Sequence, residues 1–477
     1  MESPASSVPA APSPAETHGF WRSVGDALRG VPHDYTQGNI GRAILLLAVP
    51  MVLEMAMESL FAVCDNFFVS KLGPDAAATV GLTESLLTLI YALAIGLSMA
   101  TTAVVARRVG EGNLPGAGTA AVQAIGLGVL ISVPIGLAGS WFAPDLLRLM
   151  GGSPELVAAG WRYTAVMIGA NAVIFLLFLI NAIFRGAGDP AIAMRSLWLA
   201  NFINILLGPC LIFGLGPFPE LGIVGAAVAT TIGRGSGVLY QLRALAKGRG
   251  RIALEWRHLR LDPAVMGNLL RVSGPGMFQF LIATASWIGL VRIISTFGSA
   301  ALAGYTIAIR TIVFAILPSW GLSNAAATLV GQNLGAGRPD RAERSVWQTG
   351  LYNMVFLGVV GLVFILFAEQ IIGIFISDPE VLRYGVSCLR YASYGYPFYA
   401  WGMVMVASFN GAGDTWTPTW INFFCLWLLQ IPLAWVLSHQ GGLGASGTFV
   451  AIAIGESMLA VVGMLAFRRG RWKERRV

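Results

Sequence analysis

The stretch Phe184-Arg185-Gly186-Ala187-Gly188-Asp189 returns 225 positions later as Phe409-Asn410-Gly411-Ala412-Gly413-Asp414. The same offset joins Pro50 to Pro275, Gly73 to Gly298, and Gly96-Leu97-Ser98 to Gly321-Leu322-Ser323. It also joins Gly110 and Gly112 to Gly335 and Gly337. A single match of this kind is chance, but a register kept from Pro50 to Asp189 marks an internal duplication. Past Asp189 the register slips to 222, with Gly222 and Gly225 facing Gly444 and Gly447, as a change in one loop length would produce.

Composition decides what kind of chain was duplicated. Of 477 residues, 56% are hydrophobic and 12% charged, and the mean hydropathy is +0.70. A soluble domain carries about 25% charged residues, so this chain lacks the polar surface to sit in water. Its apolar stretches repeat near the ~20 residues that a bilayer core demands. They fall at about 43–70, 78–106, 119–142, 159–183, 194–214 and 222–246 in the first half. In the second half they fall at about 264–297, 301–330, 345–368, 383–410, 418–438 and 444–467. In lipid each segment must satisfy its own backbone amides, so helices are expected. The alternating ten-residue segments of a barrel are not seen. The fold class is therefore an all-α polytopic membrane protein of twelve transmembrane helices in two six-helix lobes. Six is even, so the second copy enters the membrane from the same side, and the lobes are related by a pseudo-twofold along the membrane normal.

The expected organisation is a disordered tail over 1–40, an N-terminal lobe over 41–247 and a basic linker over 248–262, then a C-terminal lobe over 263–468 and a basic tail over 469–477. The tail expectation rests on the Ser-, Pro- and Ala-rich opening run, which cannot bury itself. Most of the 31 Lys and Arg fall on one side of this topology, including Arg107, Arg108, Arg185, Arg195 and the run from Arg243 to Arg271. That asymmetry places both termini in the cytoplasm and assigns the net charge of +7 to topology, not to nucleic-acid binding. Cys64, Cys210, Cys388 and Cys425 all lie in apolar spans without paired spacing, and read as packing residues.

The first span carries Glu54, Glu58 and Asp65, and the second carries Glu84. At about 100° per residue, Glu58 and Asp65 lie roughly 40° and 20° around the helix from Glu54, on one narrow face. A charge at mid-bilayer costs about 2.5–3.5 kcal/mol on the lenient insertion scale, so this face points into a wet cavity, carries protons or pairs with cations such as Arg292 or Arg310. Carboxylates this close titrate as a set. Their counterparts in the second half are Gln279, Ala283, Leu290 and Ile309. The second half has no Asp or Glu between Asp262 and Asp340, nor between Asp414 and Glu456, so ion coupling is assigned to the first lobe.

The strings Asp65-Asn-Phe-Phe-Val-Ser-Lys-Leu-Gly73, Val105-Ala-Arg-Arg-Val-Gly-Glu-Gly112, Phe184–Asp189 and Val330-Gly-Gln-Asn-Leu-Gly-Ala-Gly337 together resemble the multidrug and toxic compound extrusion (MATE) transporters. The likeness spans about residues 40–467. It implies two lobes around a central cleft, and export of amphipathic organic cations in exchange for protons or sodium. It makes Asp65 the leading ion-coupling residue, with Glu54 and Glu58 beside it. Helix five of the bacterial branch usually carries an Asp before its proline, whereas this chain reads Leu207-Gly208-Pro209. Asn201 and Asn204 remain on that helix, and join Asn181, Gln279, Tyr305 and Trp320 as candidate cavity residues. The sodium-coupled branch uses acids in the second lobe, so the proton is the expected coupling ion and sodium the alternative.

The resemblance further implies a bacterial inner-membrane exporter, read here as a monomer with a small organic substrate and no cofactor. Alternatives are a dedicated metabolite exporter and a flippase for lipid-linked sugars. A channel would need a ring of equivalent polar residues, and the halves differ at those positions. The Gly-Ala-Gly-Asp copies lack the Lys-Ser/Thr of a phosphate loop and read as helix punctuation, glycine ending one helix and Asp capping the next. His18, His33, His258 and His439 lie outside the spans, and no nucleophile–base pair or metal-ligand spacing stands out, so an enzyme is not expected.

Overall fold

The computed structural model describes residues 19–254, 258 and 260–475. A short helix α1 (Phe20–Arg29) precedes the first lobe. That lobe comprises α2 (Ile40–Ser70), α3 (Pro74–Gly110), α4 (Leu114–Trp141), the short α5 (Ala143–Leu149), α6 (Pro154–Gly169), α7 (Asn171–Ala187), α8 (Pro190–Phe213) and α9 (Ile223–Ala246). The second lobe repeats the order: α10 (Pro263–Ser295), α11 (Ser299–Gly335), α12 (Pro339–Leu366), the short α13 (Ala368–Gly373), α14 (Pro379–Tyr394) and α15 (Tyr396–Gly411). It closes with α16 (Trp416–Asn422), α17 (Ile431–Trp435) and α18 (Ala445–Arg468).

These helices make twelve spans. Each of the pairs α6–α7 and α14–α15 is one span with a break, and α16 and α17 are joined by a π-helical stretch, Phe423–Gln430, into another. Among the described residues, ten spans are long and apolar enough to cross a membrane by length and composition alone. The other two are α9, which carries Arg234 at mid-helix, and the pair α14–α15, broken at Gly395. Proline at the first helical position and side-chain caps such as Asn39 on Arg42 N (3.1 Å) and Asp262 on Ala264 N (3.0 Å) set the starts. The expected punctuation is seen at Gly188, whose φ of 87° ends α7. Asp189 does not cap α8; its Oδ2 accepts instead from the Arg251 amide of the linker, at 2.6 Å.

The repeated glycines form the seam between the lobes. A methyl on Gly96 of α3 would meet the Ser273 carbonyl of α10 at 2.8 Å, and one on its image Gly321 of α11 would meet the Met51 carbonyl of α2 at 2.7 Å. Nearer the chain ends, a methyl on Gly110 would lie 2.0 Å from the Gln332 carbonyl, and one on Gly335 2.2 Å from that of Arg107. Only glycine permits such backbone approach. Hydrogen bonds from Gln332 to the Gly186 carbonyl (2.9 Å), Thr328 to that of Arg185 (3.1 Å) and Arg107 to that of Ala412 (3.3 Å) close the same end.

Two expectations about the termini change here. The disorder expected for 1–40 is corrected from Phe20 onward, while residues 1–18 lie outside the described residues. Helix α1 is tied to α2 by Asp26–Arg42 (3.2 Å), and the following strap, residues 31–39, lies over the seam. There Tyr35 is 2% exposed and donates to the Gly188 carbonyl at 3.2 Å. Arg338 and Arg341 of the second lobe donate to the carbonyls of Thr36 (2.6 Å) and Gln37 (2.7 Å). The strap has few apolar residues, so composition hid it; backbone carbonyls facing arginines hold it in place. The C-terminal segment is also anchored, with Trp472 stacked 4.5 Å from Phe467 and Arg475 paired to Asp414 at 3.2 Å.

Candidate functional site

The acidic face of α2 turns inward against α7, α8 and α9, not toward the second lobe. Glu54 is 1% exposed, and its Oε1 accepts from Arg185 (3.1 Å) and Asn181 (3.2 Å) of α7. Asn181 in turn accepts from Gln241 of α9, which also donates to Ser196 of α8 at 2.7 Å. One carboxylate oxygen, Oε2 of Glu54, has no partner among the described residues. This polar network knits four helices around one carboxylate, a placement worth its desolvation only because the cation is within reach.

One turn on, Glu58 accepts from Arg234 of α9 through Oε1 (3.1 Å) and from Asn201 of α8 through Oε2 (3.2 Å). The Arg234 guanidinium also lies 5.7 Å from the Phe61 ring centroid and faces Tyr91 and Asp65. It therefore sits between the carboxylates of Glu58 and Asp65. Asp65 itself is partly buried and makes no ion pair within 4 Å among the described residues. The pairing candidates Arg292 and Arg310 do not serve Glu54 or Glu58; Arg185 and Arg234 do. In the sequence Arg185 stands among the topology-setting basic residues and Arg234 in a span without an acid, because a pairing across helices depends on tertiary packing.

Glu84 of α3 is exposed and faces both Asp65 and Arg310 of α11. Glu84 thus sets an acid of the first lobe against a cation of the second. The remaining cavity candidates separate. Asn181 and Asn201 belong to the acid network, and Asn204 donates to Thr230 at 2.8 Å, tying α8 to α9. Gln279, the image of Glu54, is buried, and its Oε1 has no partner among the described residues. Tyr305 is a core residue of the second lobe, 2% exposed and stacked on Phe449, whereas Trp320 is 44% exposed. Near Gly208 a methyl would meet only Asn204 Oδ1, at 3.9 Å, so the position without its acid leaves room beside Asn204.

One residue that sequence reading passed over is Glu456. The second lobe is not free of membrane acids: Glu456, which closes the acid-free interval after Asp414, stands at the middle of α18. The signal was available, since Gly233-Arg234 and Gly455-Glu456 keep the offset of 222.

Comparison with known proteins fits this architecture. The family model MatE matches residues 50–210 and again 275–436, one match to each half. The probable multidrug resistance protein YoeA of Bacillus subtilis is 26% identical over 446 residues, covering 92% of this chain and 96% of that protein. A Shewanella oneidensis protein named FAD transporter is 26% identical over 436 residues, covering 90% of this chain and 94% of its own length. Among solved structures, the outward-facing conformation of a multidrug resistance MATE family transporter of the MOP superfamily superposes with a TM-score of 0.87 at 27% identity. That match covers 92% of this chain and 98% of the other.

Proposed function

This chain belongs to the MATE family of membrane transporters, and on that premise we propose that it is a secondary antiporter, exporting amphipathic and mainly cationic organic compounds in exchange for protons. The observation that carries this reading is the unequal state of the three α2 acids. Glu54 and Glu58 have their cations at 3.1 Å, while Asp65 shares Arg234 only at longer range. Asp65 is therefore the group whose charge is least compensated and whose protonation changes the site most.

In the proposed cycle, ionised Asp65 competes with Glu58 for Arg234 and keeps the first lobe competent for a cationic substrate. Protonation from the side opposite the termini returns Arg234 to Glu58 alone and removes the negative charge that held the substrate. Pro50, inside α2 below this face, has no amide hydrogen to give the carbonyl one turn earlier, and so gives the helix a place to bend. The lobes then exchange which side of the seam is open. A proton crossing 100 mV supplies about 2.3 kcal/mol before any pH difference is added. The bacterial inner membrane, with both termini cytoplasmic, is the location that suits the charge asymmetry.

A second reading, export of an anionic dinucleotide, draws on the Shewanella relative named FAD transporter. Sodium in place of protons is the other open choice. Everted membrane vesicles loaded through an external dye, with the proton and sodium gradients collapsed one at a time, decide between the ions. A panel setting cationic dyes against FAD decides between the substrates. Uptake that ignores both gradients rules out antiport altogether.

A further inference from the structure

Arg234 and Glu456 are images of one another. Each is the twelfth residue of a 24-residue closing helix, α9 or α18, and each follows a glycine. In the first lobe the arginine meets Glu58 of α2. In the second, the images of Glu58 and Asp65 are Ala283 and Leu290, so the position carries an acid where its two facing positions carry no charge.

Those surroundings are specific. Glu456 lines a cavity of about 30 Å³ with Trp287 of α10, Ile309, Ile312 and Ile316 of α11, Ala392 of α14, and Tyr396 and Tyr399 of α15. The titratable groups that face it are Tyr399 and, from the π-helical stretch, Cys425, with the Tyr396 phenol on the same cavity wall. No charged side chain faces it among the described residues. A bare carboxylate at mid-membrane is costly, and among the described residues no cation offsets it. A water molecule needs roughly 10–15 Å³ of such space, so the cavity admits one or two. Two carboxylate oxygens and two phenols among isoleucines are too few for a hard divalent cation, which takes about six to eight oxygens. The ligand that fits this donor set is the proton.

We propose that Glu456 is a second proton-carrying group of the transport cycle, housed in the second lobe and separate from the Asp65 face. It holds its proton in the conformation described here and gives it to cavity water when the lobe rearranges. The element that rearranges lies against it: a methyl on Gly395, at the α14–α15 break, would sit 3.3 Å from Ala453, one turn of α18 from Glu456. The proposal rests on proton antiport as the function.

The test is pH-dependent infrared difference spectroscopy on the detergent-purified full chain, together with proton-to-dye stoichiometry in proteoliposomes. Wild type should show a protonated carboxylic acid at neutral pH that Glu456→Gln removes and Asp65→Asn retains. Glu456→Gln should export dye with about half the protons per dye molecule, and Glu456→Asp should restore the wild-type ratio. Gln reproduces the shape and hydrogen bonding of the protonated acid, so a purely structural role predicts no change in stoichiometry. Survival of the neutral-pH signal in Glu456→Gln, or an unchanged ratio, overturns the proposal. A wild type that moves no protons sinks the antiport reading instead, and the two failures are told apart by the infrared signal, which needs no transport.

Discussion

Arg234 reaches from the last helix of the first lobe to Glu58 on α2, 3.1 Å away, and holds its guanidinium over Phe61 between Glu58 and Asp65. The consequence for stability is asymmetric. Removing the cation alone leaves a carboxylate stranded in the membrane, at a cost of about 3 kcal/mol. Arg234→Ala should therefore unfold at lower temperature in detergent than the double variant Arg234→Ala, Glu58→Ala. Equal melting of the two would show that the pair is not coupled.

The Glu54 cluster should be the less forgiving of the two. Glu54 is fully enclosed, and Arg185 is its only cation among the described residues. Arg185→Ala is expected to cost about 3–5 kcal/mol, and Glu54→Gln with Arg185 retained should cost less, since an amide still accepts from Asn181. Thermal melts of the two variants check the order; the reverse order contradicts the network.

The seam makes a separate prediction. Gly335→Ala places a methyl 2.2 Å from the Arg107 carbonyl, closer than any real contact, so the two lobes must part at that end. A cysteine introduced at Thr328, where the hydroxyl now bonds to the Arg185 carbonyl, should react faster with a water-soluble thiol reagent in the Gly335→Ala background. Unchanged labelling would mean that the glycine contact does not hold the seam shut.

The strap should respond to pH. Burial first, and then the neighbouring Arg42 and Arg251, hold the His33 imidazole below its ordinary value of 6.5. A base whose docked pKa is lowered favours docking fully above its free value, and the advantage is lost as pH falls through that value, because the released strap binds the proton more readily. A spin label at Gln37 should gain mobility as pH drops from about 7.5 to about 5.5. With His33→Gln that response should vanish; if it persists, His33 is not its source.

How much of this was written in the sequence differs by feature. The duplication, the twelve spans and the shared face of Glu54, Glu58 and Asp65 follow from spacing alone, since helical period and bilayer thickness are fixed lengths. The glycine repeats were visible too, but their role was not, because a close approach of two backbones belongs to packing and leaves no local mark. Arg185 and Gln241 join the acid network only once α7 and α9 are laid against α2. The strap escaped because backbone carbonyls, which every sequence has, do the binding. Glu456 is legible only as the image of a cation, Arg234, so matching acid to acid between the halves passes over it.

The central claim is that Asp65 carries the coupling charge of the first lobe. It is tested most directly by uptake of a cationic dye into proteoliposomes under an imposed proton gradient, comparing wild type with Asp65→Asn. The account predicts that the Asn variant still binds dye but loses gradient-driven accumulation, falling to the level seen with the gradient collapsed. Accumulation at the wild-type rate in Asp65→Asn would contradict it.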